Sequence, residues 1–592
     1  MSRRTTRDRG VALPSAVLLV LLASLVLAGC AGMPTSGPVH QIGSSAVATS
    51  DQGPPNYDPL PPQQDASRAE IVRGFINAMV AIPSQTRTAK LFLTDDAAER
   101  WNPQQETITY AEPPTPRGVG GDVVVRLVGA DRLDARGAWQ GPLPASQSTV
   151  SFPMALEDGQ WRIERAPDAL IVPQDWYANL FRQVSVYFFD PTAQILVPEP
   201  VFVPRGEQLA TTLTQALLLG PGPGLEHVTQ TFVPPGLSVA VGVTVSDDGV
   251  ADVILDGDAG RLSAKTVELM MAQFAWTLRQ EPQVQSIRLS IGGEPVPLPD
   301  GVSSYRVDGG AEYDPAGFQA SALLYGLSRG RLVAGTPSAL VPVGGPLGQA
   351  SYGLRSVGVS LDATTAAGVT AQGRSVVVAP VAAEGGAVRT VASGTDLLRP
   401  AWDFSDRMWM VDRTAKGAVV SYADDHGSVA PTILRVPGIT GAQVRMFLVS
   451  RDGTRLLAVV RRAGTDVLLV SRIEHASNGR VTGAVPAERI QLGDDVTLPI
   501  RDITWRTSAS IDVLNALTPS LAEVAPASVD GAPMNPDTAA TAVDGRVLSL
   551  AGSPVLGEDV YGVTPSGLVN VTRGDRGPTP FARPTRAVVY VG

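Results

Sequence analysis

A single cysteine, Cys30, occurs in the 592-residue chain. Intrachain disulfides, zinc ribbons, iron–sulfur clusters and CxxC redox centres each need at least two, so all are excluded. Histidine is nearly as scarce. His40, His227, His426 and His475 show no HxxxH or HExxH spacing, so no metal centre of that kind and no cofactor are expected. Lysine is reduced to Lys90, Lys265 and Lys416, none of them preceded by the glycine a P-loop requires. Aromatic residues make up 5% and charged residues 18%, against 44% apolar residues and a mean hydropathy of +0.09. These values exclude both a disordered polymer and a multi-span membrane protein. Glycine and proline are plentiful, at 60 and 49 residues, which suits many short strands better than long helices. At roughly 150 residues per domain, the length accommodates about four domains.

The first residues bear on the compartment. Arg3, Arg4, Arg7 and Arg9 form a basic head, Val11 to Leu27 is an uncharged apolar run, and Leu27-Ala28-Gly29-Cys30 places small residues before the cysteine. A positive end, an apolar helix and a small-residue cleavage site are the parts of a secretory signal. The run falls short of the about 20 residues a spanning helix needs, and Pro14 interrupts it. The cysteine after the small pair resembles the bacterial lipobox, whose thiol carries the lipid and whose cysteine becomes the mature N-terminus. On this reading residues 1–29 are a signal peptide, Cys30 is lipidated, and the rest lies outside the cytoplasm, anchored to the membrane. Losing four arginines and Asp8 leaves the remainder more acidic than the whole chain's net charge of −10. No basic stripe is left for nucleic acid, so none is expected as a partner.

Residues 30–66 are rich in Pro, Gly, Ser and Gln and read as a disordered tether. A first α+β domain is expected over 67–175. Ser67 and Glu70 have capping-box spacing before a helix running to Ile82, and Thr94 opens a second helix. Strands follow at Val123–Val128 and Phe152–Leu156, and Glu157 to Gln160 makes a hairpin turn, giving two helices and a curved antiparallel sheet. A second α+β domain is expected over 176–310 in the order β-α-β-β-α-β, with helices from Glu207 to Leu219 and Ser263 to Arg279 on one face of an antiparallel sheet.

From 311 to 592 helical periodicity vanishes and a repeat emerges. Trp402, Met408 and Met410 recur as Trp505, Ile511 and Val513, and Ser360 with Asp362 recurs as Ser450 with Asp452. Anchors spaced by about 40–55 residues are the period of a propeller blade, and the segment holds about six. Tyr325-Gly326 and Tyr561-Gly562 flank the array, and Ala587 to Val591 offers a closing strand. The fold class is therefore multidomain, two small α+β domains followed by an all-β propeller.

Catalytic constellations are sparse. The adjacent acids Asp95/Asp96, Asp247/Asp248 and Asp424/Asp425 suit helix capping and turns better than general acid–base work, which needs carboxylates converging across a cleft. Asp424-Asp425-His426 is the single place where a histidine follows two adjacent acids, a weak calcium or catalytic candidate that reads first as a solvated blade connection. Gly220-Pro221-Gly222-Pro223-Gly224 follows a helix, and its prolines remove the donors a phosphate would use. No catalytic, cofactor-binding or metal residue is assigned.

With lipobox, tether, two α+β units and a degenerate array in this order, the chain resembles the LpqB family of actinobacterial lipoproteins. The likeness runs from Leu27-Ala28-Gly29-Cys30 and Gly32-Met33-Pro34 onward. The central unit resembles the GerMN domain of sporulation and germination proteins, through Leu217-Leu218-Leu219-Gly220-Pro221, Val233-Pro234-Pro235-Gly236 and Gln273 to Leu278. The family implies a non-enzymatic protein at the outer face of the cytoplasmic membrane. There it binds the extracellular part of the sensor histidine kinase MtrB and modulates two-component signalling in cell-wall homeostasis and division. The alternative is a wall-polymer binder or hydrolase using the propeller face. Only Cys30 carries over from the family as a functional residue. Cells fed labelled palmitate should label the protein, and Cys30→Ser should abolish the label; retained label would refute the assignment.

Overall fold

The computed structural model describes residues 57–592 apart from 83, 207, 299–300, 383–384, 493–498, 535–537 and 574–576. The expected signal peptide, Cys30 and most of the tether lie outside the described residues.

Helix Arg68–Ala78 starts as the sequence predicts. Ser67 Oγ accepts from the Glu70 backbone, and the Glu70 carboxylate accepts from the Ser67 N–H at 2.8 Å. Ile71, Val72, Phe75 and Ile76 bury its inner face. It stops four residues before Ile82, which instead exchanges backbone hydrogen bonds with Tyr57. Thr94 caps Asp95–Arg100 as expected. Asp158 and Gly159, both at positive φ, turn Met154–Glu157 into Gln160–Ile163.

The single antiparallel sheet expected here is a set of small sheets. Pro153 divides the expected 152–156 strand, sending Thr149–Phe152 and Met154–Glu157 to different sheets. Glu106–Tyr110 pairs antiparallel with Asp131–Asp134 and parallel with Leu170–Pro173, because a long crossover returns the chain in the same direction. A helix that the sequence reading lacked, Gln174–Leu180, follows. Its Tyr177 stacks on Phe181 at 4.2 Å between ring centroids and packs against Phe202.

The central unit opens with a long ribbon, Phe181–Phe189 against Leu196–Pro204. Helix Leu209–Leu218 buries Leu209, Leu213 and Leu217 and ends at Gly220, where φ is 72°. Ser263 Oγ caps Ala264–Leu278. Gln273, fully buried on that helix, donates to the Tyr187 carbonyl and accepts from the Phe232 N–H at 2.7 Å, pinning helix to ribbon. Ser238–Val239 and Thr244–Val245 pair antiparallel with Val250–Asp256. One expectation is corrected. The sheet is mixed rather than antiparallel, since Val250–Asp256 and Ser286–Ile291 run parallel with helix Ala264–Leu278 as the crossover between them.

Among the described residues, the remainder forms six antiparallel sheets of four or five strands. Their innermost strands are Leu354–Val359, Ala401–Trp402, Gln443–Val449, Ile500–Thr507, Ser549–Ala551 and Thr585–Val589. Each lies beside the next and the last lies beside the first, so the ring is closed. Thr585–Val589 pairs antiparallel with Leu324–Ser328, joining the end of the array to its beginning. The sequence repeat has a structural basis: Trp402 faces Met408 across one strand pair, and Trp505 faces Ile511 across the equivalent pair, both tryptophans buried. Tyr325 and Tyr561 likewise sit on the second strand of their sheets.

The first unit is seated on the second by close backbone approach. Gly137, at φ 78°, accepts from the Phe202 N–H at 2.8 Å, and a Cβ there would stand 2.2 Å from the Phe202 carbonyl oxygen. Gly137→Ala should therefore lower stability by about 1–3 kcal/mol in chemical denaturation, combining left-handed strain with a backbone clash. Gly118→Ala, with open space around its Cβ position, should leave the transition unchanged.

Candidate functional site

Glu199 projects from the central ribbon toward the ring. Arg472 grips it bidentately, Nη1 donating to Oε1 at 2.8 Å and Nη2 to Oε2 at 2.6 Å, while Arg455 Nη2 donates to Oε1 at 3.1 Å and to the Pro198 carbonyl. Arg455 is fully buried, Glu199 nearly so. Burial alone would push the Glu199 carboxyl up, but the charges of Arg472 and Arg455 and the Arg472 hydrogen bonds hold it below the usual carboxylate range. A further bond joins the same units: Gln183 Nε2 donates to Ser528 Oγ at 2.8 Å. Within the 311–592 unit, Arg451, whose burial pushes it down to about 10, donates to the carbonyls of Ala316 and Val591.

Beside this clamp, a cleft of about 320 Å³ separates the Asp190 turn of the ribbon from the third and fourth sheets of the ring. Its walls are largely committed. Arg407 donates through Nε to Asp424 at 2.7 Å and through Nη2 to the Gly479 carbonyl, with Nη1 3.3 Å from His475 Nε2. Burial pushes the His475 imidazole down, favouring its neutral form. Asp190 is saturated by Thr192, Gln194 and Ile195. Asp452 holds Ser450 and Thr454 through Oδ1, while its buried Oδ2 has no hydrogen-bond partner.

The run Asp424-Asp425-His426 does not act as a unit. Asp424 is taken by Arg407. His426 instead meets acids distant in sequence, Asp406 and Asp362, whose ligating atoms and its own all lie within 4.8 Å of one another. The sequence reading missed this set. The available signal was the Ser-x-Asp repeat: Ser360 Oγ donates to Asp362 and Ser450 Oγ to Asp452, marking equivalent turns at the ends of the two inner strands that flank Ala401–Trp402. The remaining motifs are structural. Asp95 and Asp96 occupy a helix first turn, Ser246 Oγ donates to Asp248 in its turn, and Gly222 lies against the Arg136 guanidinium. Gly326-Leu327-Ser328-Arg329-Gly330 has the spacing of a nucleophile elbow. It forms a strand-to-strand turn instead, and Ser328 Oγ donates to the Pro584 carbonyl.

Comparison with known proteins accords with this architecture. Family models match in three consecutive stretches: lipoprotein LpqB, N-terminal domain, over 61–178; sporulation and spore germination over 185–297; and lipoprotein LpqB beta-propeller domain over 330–577. The chain belongs to the LpqB lipoprotein family. Lipoprotein LpqB of Thermobifida fusca is 28% identical over 90% of this chain and 92% of its own length. Lipoprotein LpqB of Streptomyces coelicolor is 28% identical over 88% and 89%. Among solved structures, the first GerMN domain of the sporulation protein GerM from Bacillus subtilis is 19% identical, covering 21% of this chain and 97% of that one at a TM-score of 0.17. These LpqB relatives are named as lipoproteins rather than as enzymes. Among the described residues no helix is long and apolar enough to cross a membrane.

Removing the Glu199 charge leaves two guanidinium groups competing for one neutral site. Glu199→Gln should cost about 3–5 kcal/mol at neutral pH, as breaking a buried pair from one side does. Because the folded-state carboxyl is held low, its contribution is present above the ordinary carboxylate range and is lost as pH falls through the folded value. Denaturation curves of the two proteins should therefore converge on acidification.

Proposed function

We propose that this protein is lipidated at Cys30, stands at the outer face of the cytoplasmic membrane, and binds the extracellular part of an MtrB-like sensor histidine kinase. By binding it modulates two-component signalling in cell-wall homeostasis and division, without catalysis of its own. Membership of the LpqB family carries the reading. The buried Glu199 clamp supports it, because a jointed chain would absorb a partner's movement whereas docked units can oppose it. The mechanism is differential affinity: a chain that prefers one conformation of the sensor shifts the sensor toward it. A coupling of about 1–3 kcal/mol changes the populations about 5–150-fold.

The cleft between ribbon and ring favours a second reading, in which the propeller face holds a wall polymer. Crosslinking in living cells followed by capture of the full-length chain distinguishes the two. Recovery of a sensor kinase, lost with Cys30→Ser, is the expected outcome. Capture of peptidoglycan fragments, or their turnover by the purified chain, in place of a kinase overturns the signalling reading.

A further inference from the structure

We propose that Asp362, Asp406 and His426 form a binding site for one divalent transition-metal ion of the Zn²⁺ or Mn²⁺ type. The site does not depend on the signalling reading. Three separate turns supply it: one follows the inner strand Leu354–Val359, one follows Ala401–Trp402, and one follows the third strand of the latter sheet, Gly417–Ala423. One atom from each residue lies within 4.8 Å of the other two.

His426 Nε2 and Asp406 Oδ2 are 3.4 Å apart. That is long for a charge-assisted hydrogen bond. It equals the roughly 3.4 Å edge of a tetrahedron built on metal–ligand bonds of about 2.0–2.1 Å. The other ring nitrogen, Nδ1, is buried without a hydrogen-bond partner. The Asp362 carboxylate is already oriented, Oδ1 accepting from Ser360 Oγ and the Thr364 N–H and Oδ2 from Thr364 Oγ1. Such bonds fix a ligand's direction and leave lone pairs for an ion.

Charge points the same way. The nearby arginines are engaged elsewhere, Arg407 with Asp424, Gly479 and His475, and Arg389 with the carbonyls of His426 and Gly427 and with Ser428 Oγ. A cation between the carboxylates would supply the missing positive charge. Two carboxylates with one imidazole suit borderline Zn²⁺ or harder Mn²⁺ better than thiophilic ions. Three protein ligands leave a coordination position for water or for a donor from another molecule.

The test uses full-length protein extracted in detergent, stripped with a chelator and titrated calorimetrically with ZnCl₂ and then MnCl₂. Binding of one ion per chain is expected for at least one of the metals. His426→Ala and Asp406→Asn should each weaken it at least tenfold. Asp362→Asn should weaken it similarly, and Asp424→Asn should leave it unchanged. Circular dichroism of the metal-free variants confirms that each is folded. No binding of either ion, binding that survives all three ligand substitutions, or a loss confined to Asp424→Asn overturns the proposal.

Discussion

Two arginines of the ring, Arg455 and Arg472, share the carboxylate of Glu199, a residue of the preceding unit. None of these charges can leave water alone without a penalty of several kcal/mol, so ribbon and ring dock together or all three remain solvated. The cleft between the Asp190 turn and the ring exists only in the docked arrangement, as does the bond of Gln183 to Ser528. The prolines beside Glu199 belong to the same solution. Pro198, Pro200 and Pro204 occupy alternate positions of Leu196–Pro204, so the N–H groups they lack fall on one edge. On that edge the Pro198 carbonyl receives Arg455.

Features written within a few residues of themselves were legible from sequence. Ser67, Thr94 and Ser263 satisfy backbone donors three positions on, and the Asp158-Gly159 turn needs only its own two residues at positive φ. The direction of a paired strand is set elsewhere. Nothing within Val250–Asp256 says that it runs parallel with Ser286–Ile291; that follows from the helix between them packing back on the sheet. Leu196–Pro204 was hidden by its prolines, which argue against a strand unless an unpaired edge receives them.

The ring was visible because repetition substitutes for local signal. Trp402 and Trp505 kept their cross-strand partners at constant offset, so alignment of the chain with itself exposed a geometry that no single segment shows. The candidate sites were less legible. Glu199 lies in a proline-rich stretch without motif, and its partners follow more than 250 positions later. His426 has acids beside it in sequence, yet neighbouring side chains on a turn diverge, and the carboxylates it meets come from turns brought alongside by the curvature of the ring.

The pairing of Thr585–Val589 with Leu324–Ser328 ties together residues from the two extremes of the ring's sequence. Closing so long a loop costs entropy before any contact within it compensates, and folds dominated by distant pairings form slowly. The first sheet stays incomplete throughout synthesis of the other five, with the Leu324–Ser328 edge unpaired and open to foreign strands. Completion of the ring is thus a late event in the life of each new chain. An interval of vulnerability separates making the polypeptide from having a shape that another molecule can recognise.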